Sequence, residues 1–331
     1  MPNIIGRRYL WFLISLLVII PGVVAMIYMT VDSCAKQERG ESNFCGPLRP
    51  SIDYTGGTLW ELTKFEKPVL PGDVREVFTA QGITDVAVQT SDLGGEQGVL
   101  IRTVPMTGDD SKAVKAGLEA ALHERFGSFQ ELRFDSVGPV IGQEVTQRSQ
   151  WAVIVAAIGV LLYVTFAFRG IANSFRYGVC AILANIHDVL IVIGLFSIFG
   201  LLFSVEVDAL FLTAVLTILG FSTHDTIVVL DRIRENRRKF PTETLEKVVN
   251  FSVFQTLDRS INTNLTVLFT LTALFLFGGG TIRNFVGALL IGMLSGTYSS
   301  IFIAAPLLVV WENREIPRFF ARLFGRKPAE A

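Results

Sequence analysis

The sequence predicts an α-helical multi-pass membrane protein with six transmembrane helices and one extracytoplasmic α+β domain. Three observations predict it. Half of the 331 residues are hydrophobic and only 18% are charged, against about 25% in ordinary soluble domains. The apolar residues are gathered into six long runs and do not alternate with charges as a water-soluble core requires. A single long polar stretch, residues 31–148, separates the first run from the other five.

In order, the runs are Tyr9–Met29, Trp151–Phe168, Tyr177–Leu202, Ala209–Leu230, Ile261–Phe277 and Phe285–Trp311. Each is near the ~20 residues that cross a hydrocarbon core. The first follows Arg7 and Arg8 as a signal peptide would, but it is longer than the ~7 to 15 residues of a signal core. The Met29-Thr-Val-Asp32 that follows is a poor cleavage site, so the run reads as a retained anchor.

Starting inside, six spans put Arg169, Arg176, the cluster Arg232 to Lys239 and the basic tail 312–331 on the cytoplasmic side. The short loops of the opposite side contain only Arg283, as the positive-inside rule requires. Residues 31–148 carry 12 Lys/Arg and 18 Asp/Glu, a net of −6, whereas the remainder carries 17 and 12, a net of +5. The expected organisation is 1–30, cytoplasmic N-terminus and first span; 31–148, extracytoplasmic domain with linkers; 149–311, five-span bundle; and 312–331, cytoplasmic tail. It belongs in the lipid of the inner, cytoplasmic membrane, and its acidic soluble region gives nucleic acid nothing to bind.

Within 31–148, Ser51–Leu62 and Asp85–Thr90 read as strands, with a helix over Pro71–Gln81 between them, opened by Pro-Gly-Asp. Gly98–Val104 reads as a third strand, Asp109–Phe126 as a second helix with Val114, Leu118, Ala121 and Leu122 on one face, and Phe129–Phe134 as a fourth strand. This β-α-β-β-α-β order is the ferredoxin-like arrangement. Cys34 and Cys45 precede it in an oxidising compartment, where they form either a disulfide or two free thiols. Cys180 reads as a small buried apolar residue. Val137–Gln150, with Gly138, Pro139 and Gly142, reads as a hinge between this domain and the second span, or as a plain linker.

Ionisable groups inside spans cost ~2.5 to 3.5 kcal/mol each, so each is a functional candidate. They are His187 and Asp188 in the third span, His224 and Asp225 in the fourth, and Arg259 at the start of the fifth. Counted at ~1.5 Å per residue, Asp225 and Arg259 share the cytoplasmic third of the bilayer and are expected to pair. Asn262 shares the face of Arg259, with Thr263 and Asn264 close by. A carboxylate whose affinity for a proton follows the position of an arginine is a simple coupling element; a static interhelical pair is the alternative. His187 and Asp188 are open to the same two readings. Gly287, Gly292 and Gly296, with Ser295 and Ser299, read as helix-packing residues. The chain has no phosphate-binding loop motif, no catalytic constellation, and nothing that calls for a metal or cofactor.

The run Gly220-Phe-Ser-Thr-His-Asp-Thr-Ile-Val-Val-Leu-Asp-Arg-Ile-Arg-Glu-Asn236 resembles the signature of the SecD/SecF family of protein-export membrane proteins, on its SecF side, within the resistance-nodulation-division superfamily. Asp53-Tyr-Thr-Gly-Gly57, Val137-Gly-Pro-Val-Ile-Gly-Gln-Glu144, His187-Asp-Val189 and Thr256-Leu-Asp-Arg-Ser260 agree in order and spacing. The resemblance implies a half-transporter that is not an enzyme. It would associate with SecD and the SecYEG channel and use the proton-motive force to help draw secreted polypeptides outward.

The same resemblance implies that Asp225 and Arg259 are the coupling residues, with Asp231, Arg232, Arg234, Glu235 and Asn236 completing the signature. The chain departs from the family at His224, where Asn is usual, and at Asn262-Thr-Asn264, where Thr and Ser are usual. His224 adds a second group able to titrate. The competing functions are a passive assembly subunit and a small-molecule half-exporter of the same superfamily.

Overall fold

The computed structural model describes residues 2–39, 44–93, 96–106, 111–169, 174–279 and 282–315. Apart from Arg314, the basic residues of the expected tail lie outside them. The chain divides into two compact units, Met1–Val31 with Trp151–Val205 and Leu210–Ala331, and Asp32–Gln150 with Glu206–Ala209.

The smaller unit is built on a four-stranded antiparallel sheet. After α1 (Arg8–Glu38), whose last turns enter this unit, come a helical turn α2 (Ile52–Thr55), β1 (Gly57–Thr63), α3 (Pro71–Ala80), β2 (Val86–Leu93), β3 (Glu96–Thr103), α4 (Ser111–Phe126) and β4 (Gln130–Val137). The strand order is β2-β3-β1-β4. Central β1 pairs Trp60 with Ile101 on one side and with Phe134 on the other. Side chains two apart share a strand face, so Trp60 and Leu62 point together onto Phe78 of α3 and Leu118 and Leu122 of α4, all essentially closed to solvent. The Trp60 indole N–H, which needs an acceptor when buried, donates to the Glu131 carboxylate at 2.9 Å.

The expected strand over Ser51–Leu62 begins six residues late. The Ser51 hydroxyl accepts from the Asp53 amide at 3.2 Å and starts α2, a local capping bond that competes with strand pairing. Gly56, at φ 75°, then turns the chain into β1, a left-handed conformation that favours glycine. The Cys34 and Cys45 sulfurs are joined as a disulfide between the end of α1 and the segment preceding α2.

The larger unit holds helices long and apolar enough to cross a membrane. They are α1; α5 (Pro139–Ala167), which starts in the smaller unit; α6 (Ser174–Phe203); α7 (Ala209–Lys239); α8 (Leu245–Phe277); and α9 (Arg283–Ser299), continued through a π-helical turn, Ser300–Ala304, into α10 (Ala305–Glu312). Among the described residues these make six candidate spans. Small residues bring the backbones together: a Cβ on Gly22 of α1 would lie 2.8 Å from the Gly194 Cα of α6. Helices α5 and α8 outrun the apolar segments by about three and four turns because their extensions, Pro139–Gln150 and Leu245–Ser260, are helical but polar. A hydropathy window does not detect such turns.

Candidate functional site

On α8, Ser252, Thr256, Ser260 and Asn264 recur every fourth residue and are all buried. Spacing of four keeps side chains on one helical face, and this face meets the buried side of α7. Asn236 of α7 donates to the Ser252 hydroxyl at 2.9 Å and to the Gln255 carbonyl oxygen at 2.8 Å. Farther along, the Asn264 amide donates to Asp225 Oδ2 at 2.5 Å. Between these links lie the Thr226 and Ser260 hydroxyls, buried and without a protein partner.

Asp225 is therefore a nearly buried carboxylate, 7% exposed, with a neutral amide as its hydrogen-bond partner. That partner suits either protonation state. An amide can donate its N–H to a carboxylate or, turned over, accept the O–H of a carboxylic acid.

The expected pairing of Asp225 with Arg259 is not what the structure contains. Among the described residues no cation forms an ion pair with Asp225. Five residues separate Arg259 from Asn264, which turns it about 140° around the helix; once Asn264 faces α7, Arg259 cannot share its face. Depth along a helix was readable from the sequence, but azimuth was not. Arg259 is exposed, as are Asn262 and Thr263. It lines a recess of about 330 Å³ with Asp231, Arg232, Glu235 and Gln255. His224 is also exposed.

The charged residues of the rest of the signature pair mainly along α7 itself, and Arg232 and Asn236 also reach α8. Arg232 pairs with Glu235 at 2.6 Å and donates to Gln255 at 2.6 Å; Arg234 pairs with Asp231 at 2.6 Å; and Lys239 pairs with Glu235 at 2.6 Å. Buried Asn236 is the residue of this group that joins α7 to α8 inside the bundle.

A second carboxylate, Asp188 of α6, is entirely closed to solvent. Its Oδ1 accepts from Ser295 at 2.6 Å and faces His187 Nδ1 at 3.0 Å; its Oδ2 accepts from Ser222 at 2.6 Å and from Ser299 at 2.7 Å. The other nitrogen of His187 lies 3.0 Å from the Ser15 hydroxyl of α1. One side chain thus fastens α6 to α7 and α9 and, through His187, to α1. Sequence reasoning treated Ser295 and Ser299 as packing residues and overlooked Ser15 and Ser222. The available signal was the pair Ser295 and Ser299, one turn apart on either side of Gly296, where an added Cβ would lie 3.3 Å from the Ser222 Cβ.

The hinge candidates fall at a helix start. Gly138 separates β4 from α5, Pro139 is the first residue of α5, and Gly142 lies in its first turn. A Cβ at Gly142 would sit 2.8 Å from the Tyr54 carbonyl oxygen and 2.9 Å from the Gly56 amide. Gly142 is therefore a close-packing residue, and the segment expected as a hinge or a plain linker is helical from Pro139.

Residues 118–314 match the family model described as protein export membrane protein SecD/SecF, C-terminal. The chain belongs to the SecD/SecF family. Over its whole length it is 48% identical to the protein translocase subunit SecF of Thermobaculum terrenum, covering 99% of that protein. It is also 48% identical to the protein translocase subunit SecF of Anaerolinea thermophila, covering all of it. Among solved structures it is similar to SecDF from Thermus thermophilus, described as a translocon-associated membrane protein, with 31% identity and a TM-score of 0.74 over 94% of this chain. The chain spans 39% of that SecDF chain. Within the SecD/SecF family it is of the SecF kind, a membrane subunit of a protein translocase.

Proposed function

We propose that this SecF-type subunit acts with a SecD partner beside the SecYEG channel, using the proton-motive force to promote outward movement of secreted polypeptides. It would lie in the inner membrane with both termini cytoplasmic, and its α+β unit would be a ferredoxin-like domain outside. The element order β-α-β-β-α-β supports that last reading.

The observation that carries the proposal is Asp225: a buried carboxylate within an apolar helix, held by one neutral amide. Such a group can gain and lose a proton without stranding a buried charge partner. One proton crossing 100 mV releases ~2.3 kcal/mol, enough to shift a two-state equilibrium ~50-fold. Arg259 supports the partnership with SecD. Arg259 is exposed at the end of the polar extension of α8, two residues before the apolar run, and a partner helix bearing a carboxylate would cover it there. The test is Asp225→Asn in membrane vesicles containing the channel, the motor ATPase and SecD. It should co-purify with SecD in normal amounts while translocation loses its stimulation by a proton gradient. Retained stimulation would remove Asp225 as the carrier.

A further inference from the structure

The Asp53-Tyr-Thr-Gly-Gly57 motif has no part in the site described above, yet two of its side chains reach across more than 150 residues of sequence. The first amides of any helix lack an intrahelical acceptor, and a negative charge is favoured there by the helix dipole. Ala209 opens α7. Its amide donates to Asp53 Oδ2 at 2.9 Å, across 156 residues of sequence. The three residues before it are held by the same unit. Val207 exchanges backbone hydrogen bonds with the segment around Pro50, accepting from Ser51 at 2.8 Å and donating to Arg49 at 2.9 Å. The Tyr54 hydroxyl donates to the Asp208 carbonyl at 3.1 Å, and Glu206 pairs with Arg102 of β3. On its other side, the turn carrying Asp53 leads into Gly56, packed 3.0 Å from the Pro139 Cα at the start of α5 by the measure of an added Cβ.

We infer that Asp53 is a positioning residue for the coupled reaction. Its carboxylate caps α7 from within the α+β unit, so that a displacement of β1 is delivered to the helix that carries Asp225. Sixteen residues of continuous helix, about 24 Å, join Ala209 to Asp225. Gly56 alone separates the short turn α2 from β1 and is packed against Pro139, so the link between the sheet and the cap is a single residue. This inference rests on the proposed role of Asp225, and the experiment separates the two.

The measurement is the ratio of translocation with a proton gradient to translocation after its collapse, in vesicles containing the complete complex, alongside SecD co-purification. Asp53→Ala should lower the ratio at least five-fold at normal assembly. Asp53→Asn, which caps about as well as Asp, should keep most of it. A full ratio for Asp53→Ala, in vesicles where Asp225→Asn abolishes it, overturns the inference alone; a full ratio for Asp225→Asn overturns the reading beneath it. Asp53→Asn as defective as Asp53→Ala would contradict capping. Should Asp53→Ala fail to accumulate, Tyr54→Phe decides, since it loosens Asp208 and leaves the cap in place. It should lower the ratio about two-fold, and a full ratio would overturn the inference.

Discussion

Two aspartates are buried in the helix bundle, and they are held in opposite ways. Asp188 has both oxygens filled, with three serine hydroxyls and an imidazole converging on it from α6, α7 and α9. Asp225 has one amide. A proton arriving at Asp188 would have to displace a donor already bound to the oxygen it joins, and the displaced hydroxyl would need a new acceptor in a dry site. A proton arriving at Asp225 requires only that Asn264 turn over. The difference is one of committed donors rather than of burial, and on the proposed reading it is what separates a carrier from an anchor. Asp188 has the environment of a structural anchor, and Asp225 the sparser one that the proposed carrier requires.

The strongest challenge to this comparison is to remove each carboxylate and measure stability in detergent. Asp188→Ala strands Ser222 and Ser295, each costing ~1 to 3 kcal/mol when left unpaired, and takes one of two partners from Ser299 and His187, so it should lose at least about 3 kcal/mol and lower the melting temperature sharply. Asp225→Asn should change stability by less than about 1 kcal/mol, because an amide can satisfy Asn264 as well as a carboxylate does. Equal losses at both positions would erase the distinction.

The anchor can be sharpened one donor at a time. Ser295→Ala and Ser299→Ala each delete a hydrogen bond to the buried Asp188 carboxyl group, worth about 0.5 to 1.5 kcal/mol, and should destabilise by at least that order with gradient stimulation preserved in the protein that assembles. Asn264→Ala should do the reverse. It costs about 1 kcal/mol of stability but should slow gradient-stimulated translocation several-fold, because Asp225 loses the group that serves both of its protonation states. Normal stimulation in Asn264→Ala would mean that water alone can serve Asp225.

The smallest expected effect lies in the α+β unit, where the Tyr54 phenol is pushed up to about 12, first by burial and then by Asp208 and Asp53. An acid whose affinity for its proton is raised on folding adds stability below its unfolded value near 10 and loses it as pH rises toward 12. Thermal melting of the unit should therefore be unaffected by Tyr54 up to about pH 10 and fall beyond it. The fall should shrink in Tyr54→Phe.

Much of this was legible in the sequence. The six spans follow from apolar runs that no soluble fold can hide, and the strand and helix order of the α+β unit follows from periodicity. Azimuth and close contact were not legible. The buried face of α8 is marked only by small polar residues four apart, Ser252 to Asn264, which reads as weak amphipathicity beside a conspicuous arginine. Depth therefore favoured Arg259 as the partner of Asp225, and helical rotation decides for Asn264. The serines around Asp188 resemble packing residues because a hydroxyl in a tight helix contact is also small. Asp53 lay in a stretch expected as strand, and its partner is 156 residues away.

The central claim is that Asp225 exchanges a proton and Asp188 anchors the bundle. The direct test is gradient-stimulated translocation per assembled complex, measured side by side for Asp225→Asn and Asp188→Asn. The account predicts that Asp225→Asn assembles normally and shows no stimulation, whereas Asp188→Asn assembles poorly and the complexes that do form are stimulated as wild type. Full stimulation by Asp225→Asn, with Asp188→Asn well assembled and inert, would contradict it.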